Sequence, residues 1–116
     1  MSEVTVFHSP ACTTSRKVVA LLEAAGVKPK VVEYLKAGWT RPQLESLLRQ
    51  MGVSARDILR VRGAPAEELG LTAPGVTDDQ IIAAMVADPR LVNRPIVVGP
   101  RGAALCRPQE RALELI

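Results

Sequence analysis

The sequence predicts an α/β domain, and three observations carry that expectation: a β-α-β opening, a closing β-hairpin followed by a helix, and capped amphipathic helices between them. In residues 3–7, Val4 and Val6 alternate with Thr5, and His8-Ser9-Pro10 halts the run, which predicts a short strand and a loop. From Thr13 onward Val18, Val19, Leu21, Leu22 and Ala25 recur at helical spacing, and Gly26 stands where a left-handed cap ends a helix. Val31-Val32-Glu33-Tyr34 predicts a second strand, parallel to the first if the two are adjacent.

The middle reads as a helical insert over residues 40–90. Thr40 and Gln43 form a capping box, with Trp39 placed to staple onto Leu44, and Leu44, Leu47, Leu48 and Met51 make a buried stripe before Gly52. Ser54 starts a short helix ending near Arg60, and 62–65 form a loop. Thr77 and Gln80 cap another helix, whose core face is Ile81, Ile82, Met85 and Val86, until Asp88-Pro89 stops it. Ile96-Val97-Val98, the turn 99–102 and residues 103–106 predict the hairpin, and Pro108 opens a terminal helix.

Composition bounds the function. A chain of 116 residues with 47% apolar and 23% charged residues fits one globular domain, here residues 1–116. With one Trp, one Tyr and one Phe, a stacking platform for bases is hard to build, and a net charge of +3 supplies no basic recognition helix, so nucleic acid is not an expected partner. No apolar run is long enough to cross a membrane, and MSEVTVFHSP lacks the basic-then-apolar pattern of an export signal. Two widely separated cysteines make neither a zinc site nor a disulfide framework, so no metal is expected, and a cytoplasmic chain with reduced thiols is. Of the 15 basic residues, 11 are Arg, the side chain that holds oxyanions bidentately, although a genomic preference for Arg codons is the simpler source of the excess.

The chemistry concentrates around Cys12. A thiol at a helix start lies beside open N–H groups and the positive end of the helix dipole, which favour its thiolate, so Cys12 is a candidate nucleophile against the alternative of a structural thiol. The N–H groups of Thr13, Thr14 and Ser15 make an anion site, with the Arg16 and Lys17 charges close by. Cys12-Thr13-Thr14-Ser15 is Cys-x-x-Ser and cannot close its own disulfide, so turnover needs an external thiol, or else Cys106, whose place at the end of an apolar strand favours core packing. His8, on the same loop, either stabilises the thiolate and relays protons or is a solvent-exposed loop residue. At Asn93-Arg94-Pro95 either isomer of the X-Pro bond is open, trans being the commoner. Arg60, Arg94 and Arg107 could converge on one tetrahedral oxyanion, or each could be a surface cation.

Assembled, these motifs resemble the glutaredoxin-dependent arsenate reductases of the arsenical-resistance family, with a thioredoxin-like core. The resemblance runs through His8-Ser9-Pro10-Ala11-Cys12-Thr13-Thr14-Ser15-Arg16, Thr77-Asp78-Asp79-Gln80, Asn93-Arg94-Pro95-Ile96-Val97-Val98 and Leu105-Cys106-Arg107-Pro108. It implies Cys12 as nucleophile, Arg60, Arg94 and Arg107 as ligands of the arsenic oxyanion, His8 as an aid to thiol ionisation and Pro95 as the cis-proline of the fold. It also implies arsenate as substrate, glutathione as co-substrate, glutaredoxin as partner, no bound cofactor and a monomer. Thr13 departs from members that carry Gly there, and some members have a longer C-terminal tail. Two rival readings stand beside it: a general monothiol, glutathione-dependent thiol-disulfide reductase, and a redox-sensing regulator that binds RNA polymerase.

Overall fold

A computed structural model describes residues 3–116. The chain forms two compact units, one made of the segment ending at Ala37 together with Arg94–Ile116, the other of Gly38–Asn93.

The first unit holds a four-stranded sheet in the order β2-β1-β3-β4, built from β1 (Thr5–His8), β2 (Lys30–Glu33), β3 (Ile96–Gly99) and β4 (Gly102–Leu105). β1 pairs parallel with β2, Val6 opposite Val31, while β3 runs antiparallel to both β1 and β4. With the helix α1 (Thr13–Ala24) between β1 and β2, this is the thioredoxin-like core. Side chains two apart share a sheet face, so Val4 and Val6 lie together and are buried in one cluster with Val18 and Leu22 of α1, Val97, Ala104, Cys106, Ala112 and Leu115. His8 continues the Val4–Val6 parity at the strand's end.

α1 ends because Gly26 adopts φ +85°, which turns the chain so that the Val27 N–H bonds back to the Leu22 carbonyl at 2.9 Å. Tyr34, expected to close β2, instead starts a single helical turn, α2 (Tyr34–Ala37), and is buried. The terminal segment Gln109–Leu115 is a 3₁₀ helix, not an α-helix, with the Arg111 N–H closing onto the Pro108 carbonyl three residues back at 3.2 Å. It packs on α1, β3 and β4, and the Arg101 N–H takes the Leu115 carbonyl at 3.1 Å. Gly99 is required there: a β-carbon on it would collide with that same carbonyl.

The second unit is helical, with α3 (Arg41–Met51) and α4 (Asp78–Ala87) and 3₁₀ turns at Ala55–Ile58 and Pro89–Leu91. Both capping boxes form: Thr40 accepts from the Gln43 N–H at 3.3 Å and Thr77 from the Gln80 N–H at 3.2 Å. Leu44, Leu47 and Leu48 are buried as expected, whereas Met51 is only partly so, at the fraying end of α3. Ile81, Ile82 and Met85 are buried, but Val86 lies at the rim of that stripe and is exposed. The 55–58 turn stops before Arg60, because Leu59 leaves it to bridge antiparallel to Val92. Among the described residues no helix is long and apolar enough to cross a membrane.

Candidate active site

The sheet places the chemistry at the end of β1. His8 is the last residue of that strand, opposite Glu33, and the chain then turns through residues 9–11 into α1. The Cys12 N–H closes the turn on the Ser9 carbonyl at 3.0 Å, and the Cys12 carbonyl accepts the first helical bond from the Arg16 N–H at 3.1 Å. Cys12 is thus the N-cap of α1, with extended backbone, φ −89° and ψ 121°. A cap residue normally lends a side-chain oxygen to an open N–H of the first turn. Here a sulfur stands in that place.

Cys12 is half-buried, and desolvation by itself would raise its pKa. The neutral thiol closes no cap bond, but the thiolate faces the N–H and hydroxyl of Ser15 and the guanidiniums of Arg107 and Arg94, and these outweigh the desolvation and bring the pKa down to about 7. Ser15 is buried, and its hydroxyl accepts the Ser9 N–H at 3.4 Å. The N–H groups of Thr13, Thr14 and Ser15 lie in the first turn without intrahelical partners, so the helix end presents donors beside the sulfur.

Arg94 and Arg107 come from chain segments bordering β3 and β4. The Arg94–Pro95 peptide is cis, as is the Arg107–Pro108 peptide. The Pro95 carbonyl accepts from the Cys106 N–H at 2.9 Å, and Arg107 donates from Nη1 to the Arg94 carbonyl at 2.6 Å. One first-unit cluster therefore gathers Cys12, Ser15, Arg94 and Arg107. Arg60 belongs to the helical unit, where its Nη1 donates to Asn93 Oδ1 at 3.2 Å and its N–H to the Leu91 carbonyl at 2.8 Å. Asn93 is the residue before Arg94 in the chain.

The structure shows where three of the candidate residues lie. His8 is buried at the end of a strand, not exposed on a loop, because its parity turns it to the face that carries Val4 and Val6. Burial lowers its pKa against the opposing pull of Glu33, with the Arg16 charge adding to the lowering, so the neutral imidazole is favoured. The groups that lower the Cys12 pKa are Ser15, Arg107 and Arg94. Arg16, expected among the anion donors, spends its guanidinium on the loop itself, on the Pro10 carbonyl and the Thr13 hydroxyl. Cys106 is fully buried just past β4, its thiol directed to the Ala104 carbonyl at 3.6 Å, and burial pushes its pKa up to about 11. It is a core residue. Sequence reasoning missed Asn93 as the partner of Arg60 and the second cis-proline, Pro108; the recurrence of Arg-Pro was the available signal for the latter. Among the described residues no group of three or more His, Cys, Asp or Glu side chains is placed to hold a metal ion.

Residues 7–115 match the ArsC family. An arsenate reductase of Synechocystis, ArsI2, is 50% identical over 113 residues, covering 97% of this chain and 81% of that protein. The arsenate reductase of Escherichia coli strain K12 is 45% identical over 116 residues, 100% of this chain and 82% of that protein. Among solved structures, an arsenate reductase from Vibrio cholerae superposes with a TM-score of 0.93 at 36% identity, covering 98% of each chain. A putative arsenate reductase from Yersinia pestis superposes at 0.89 and 40% identity, over 97% of this chain and 99% of its own. With a match across nearly its whole length, a shared fold and a thiol set among arginines, this chain belongs to the ArsC family.

Proposed function

We propose that the protein is an arsenate reductase in which Cys12 is the nucleophile. The observation that carries this reading is the half-buried Cys12 with a pKa of about 7, faced by Ser15, Arg107 and Arg94. A soft thiolate and two guanidiniums suit a tetrahedral oxyanion with an electrophilic centre, and the curated relatives bear the name of that reaction.

In the proposed cycle the Cys12 thiolate attacks arsenic(V), an As–O bond breaks, and the oxygen leaves as water after protonation, giving a Cys12–S–As(V) adduct. Arg94 and Arg107 neutralise the remaining oxygens. The open N–H groups of Thr13, Thr14 and Ser15 supply further donors. Glutathione thiolate adds to the adduct, and a glutaredoxin thiolate then removes it as a glutathione mixed disulfide. Two electrons pass to arsenic, which leaves as arsenite, and Cys12 returns as a thiolate. In sum, arsenate and two thiols become arsenite, a disulfide and water. External thiols fit this chain, because the loop has Ser15 where a resolving cysteine would stand and Cys106 is buried. In this reading the electrons come from small thiols without a bound cofactor, and the protein works as a monomer in the reducing cytoplasm.

The test is NADPH oxidation coupled through glutathione reductase, glutathione and glutaredoxin, with and without arsenate. Arsenate-dependent turnover lost in Cys12→Ser is the expected result. Turnover independent of arsenate would overturn the reading in favour of general thiol-disulfide exchange.

A further inference from the structure

We propose that Arg16 is a positioning residue of this site, a clamp that pins the Cys12 loop from both sides of the thiol, and that it is not a ligand of the oxyanion. Its Nη1 donates to the Pro10 carbonyl at 2.7 Å and its Nη2 to Thr13 Oγ1 at 3.3 Å, while its main-chain N–H holds the Cys12 carbonyl at 3.1 Å. Three bonds from one residue thus fall at positions 10, 12 and 13, with the Cys12 side chain inside that span.

The rest of the loop is lightly held. Pro10 and Ala11 are exposed and anchor nothing by packing. The loop's other main-chain ties run through the buried Ser9, whose carbonyl accepts the Cys12 N–H at 3.0 Å and whose N–H reaches Ser15 Oγ at 3.4 Å. The Ser15 donors act on the thiolate only while the loop keeps the sulfur against the first turn, since the influence of a helix end falls off within that turn. A planar guanidinium spans two acceptors at a fixed separation, whereas an ammonium is a point charge on a flexible stem. Arg16 is itself solvent-exposed, so its loss leaves the core untouched and its effect is local.

The charged and polar neighbours are few. Cys12 faces Ser15 of α1, Arg107 beyond β4 and Arg94 before β3, and His8 faces Glu33 of β2 and Arg16. Arg16 therefore holds the loop, while burial, with a lesser push from the Arg16 charge, lowers the pKa of the neighbouring imidazole. This inference rests on Cys12 as the nucleophile, and its test reads the thiol directly, so that it stands or falls apart from arsenate turnover.

The experiment follows Cys12 thiolate formation against pH, by ultraviolet absorbance and by iodoacetamide alkylation, in full-length wild type, Arg16→Lys, Arg16→Gln and Thr13→Val. All three variants are expected to raise the midpoint, slowing alkylation at pH 6 about threefold, Arg16→Lys included because it keeps the charge and loses the fork. In the two Arg16 variants the arsenate KM should stay within about twofold of wild type. An unmoved thiol in all three would overturn the clamp. So would a wild-type midpoint in Arg16→Lys with a shifted one in Arg16→Gln, which would make Arg16 a distant charge. An arsenate KM raised about tenfold over an unmoved thiol would make it a ligand instead.

Discussion

Arg107 donates from Nη1 to the main-chain carbonyl of Arg94 at 2.6 Å, across 13 residues of chain. The two guanidiniums that favour the Cys12 thiolate are therefore tied to each other through the backbone. Arg107→Lys keeps the charge but cannot hold the Arg94 carbonyl and the sulfur together. We expect the Cys12 midpoint to rise from about 7 toward the ordinary thiol value of 9.0, and arsenate kcat/KM to fall by about 10- to 100-fold. Thiol titration and steady-state kinetics on the one variant check both.

The lowered Cys12 pKa also sets a stability slope. The folded state releases this proton at about 7 and the unfolded chain near 9.0, so between those values the unfolded state binds more protons and stability rises with pH. That contribution is present above about 9 and is lost as pH falls through about 7. Exposure of the sulfur damps its size. Urea denaturation across this window should show a flatter pH dependence in Cys12→Ser than in wild type.

Cys106 titrates the other way. Burial raises its pKa to about 11, so the neutral thiol is favoured in the folded state and its contribution is whole below about 9. It is lost as pH rises through about 11. Cys106→Ala should cost about 1–2 kcal/mol at neutral pH, by leaving a small cavity among Val97, Ala104 and Leu115, and should weaken the alkaline loss of stability. Thermal or urea unfolding at pH 7 and above pH 9 separates the two effects.

Gly99 faces the Leu115 carbonyl so closely that a single methyl group collides with backbone. Gly99→Ala should destabilise by about 1–3 kcal/mol, since a main-chain atom cannot swing aside as a flexible side chain does. Chemical denaturation measures it, and the thiol midpoint of Cys12, which depends on other segments, should stay near 7.

In the helical unit, Thr77 accepts the Gln80 N–H at 3.2 Å and the Gln80 side chain answers the Thr77 N–H at 2.9 Å. Thr77→Ala removes the first of these and should cost about 1 kcal/mol, read as a shift of the urea midpoint. The parallel change Thr40→Ala at the start of α3 should behave alike, because the same reciprocal box is built there.

Legibility of the fold followed the range of the forces involved. The Thr40–Gln43 and Thr77–Gln80 boxes, the stop at Gly26, the strand periods and the start of α1 after Cys12 all depend on residues within four or five positions, and each was readable from spacing. Val86 and Tyr34 were misplaced because an apolar residue at the edge of a stripe or the end of a strand reads the same whether the neighbouring chain covers it or leaves it bare. For His8 the even-odd parity with Val4 and Val6 was present in the sequence, yet the strand's last residue could be assigned only once pairing with Glu33 carried β1 one position further.

The sequence by itself determined a β-α-β opening, a helical middle and a closing hairpin, and it put a thiol at a helix start among Ser15 and a chain rich in arginine. Only the tertiary structure decided which donors serve that thiol. It brought Arg94 and Arg107 to Cys12, turned Arg16 back onto its own loop, lowered the His8 pKa by burial and sealed Cys106 in the core. The physical reason is that helix and strand periods are local, whereas a pKa is set by whichever groups long-range chain pairing brings within a few ångströms.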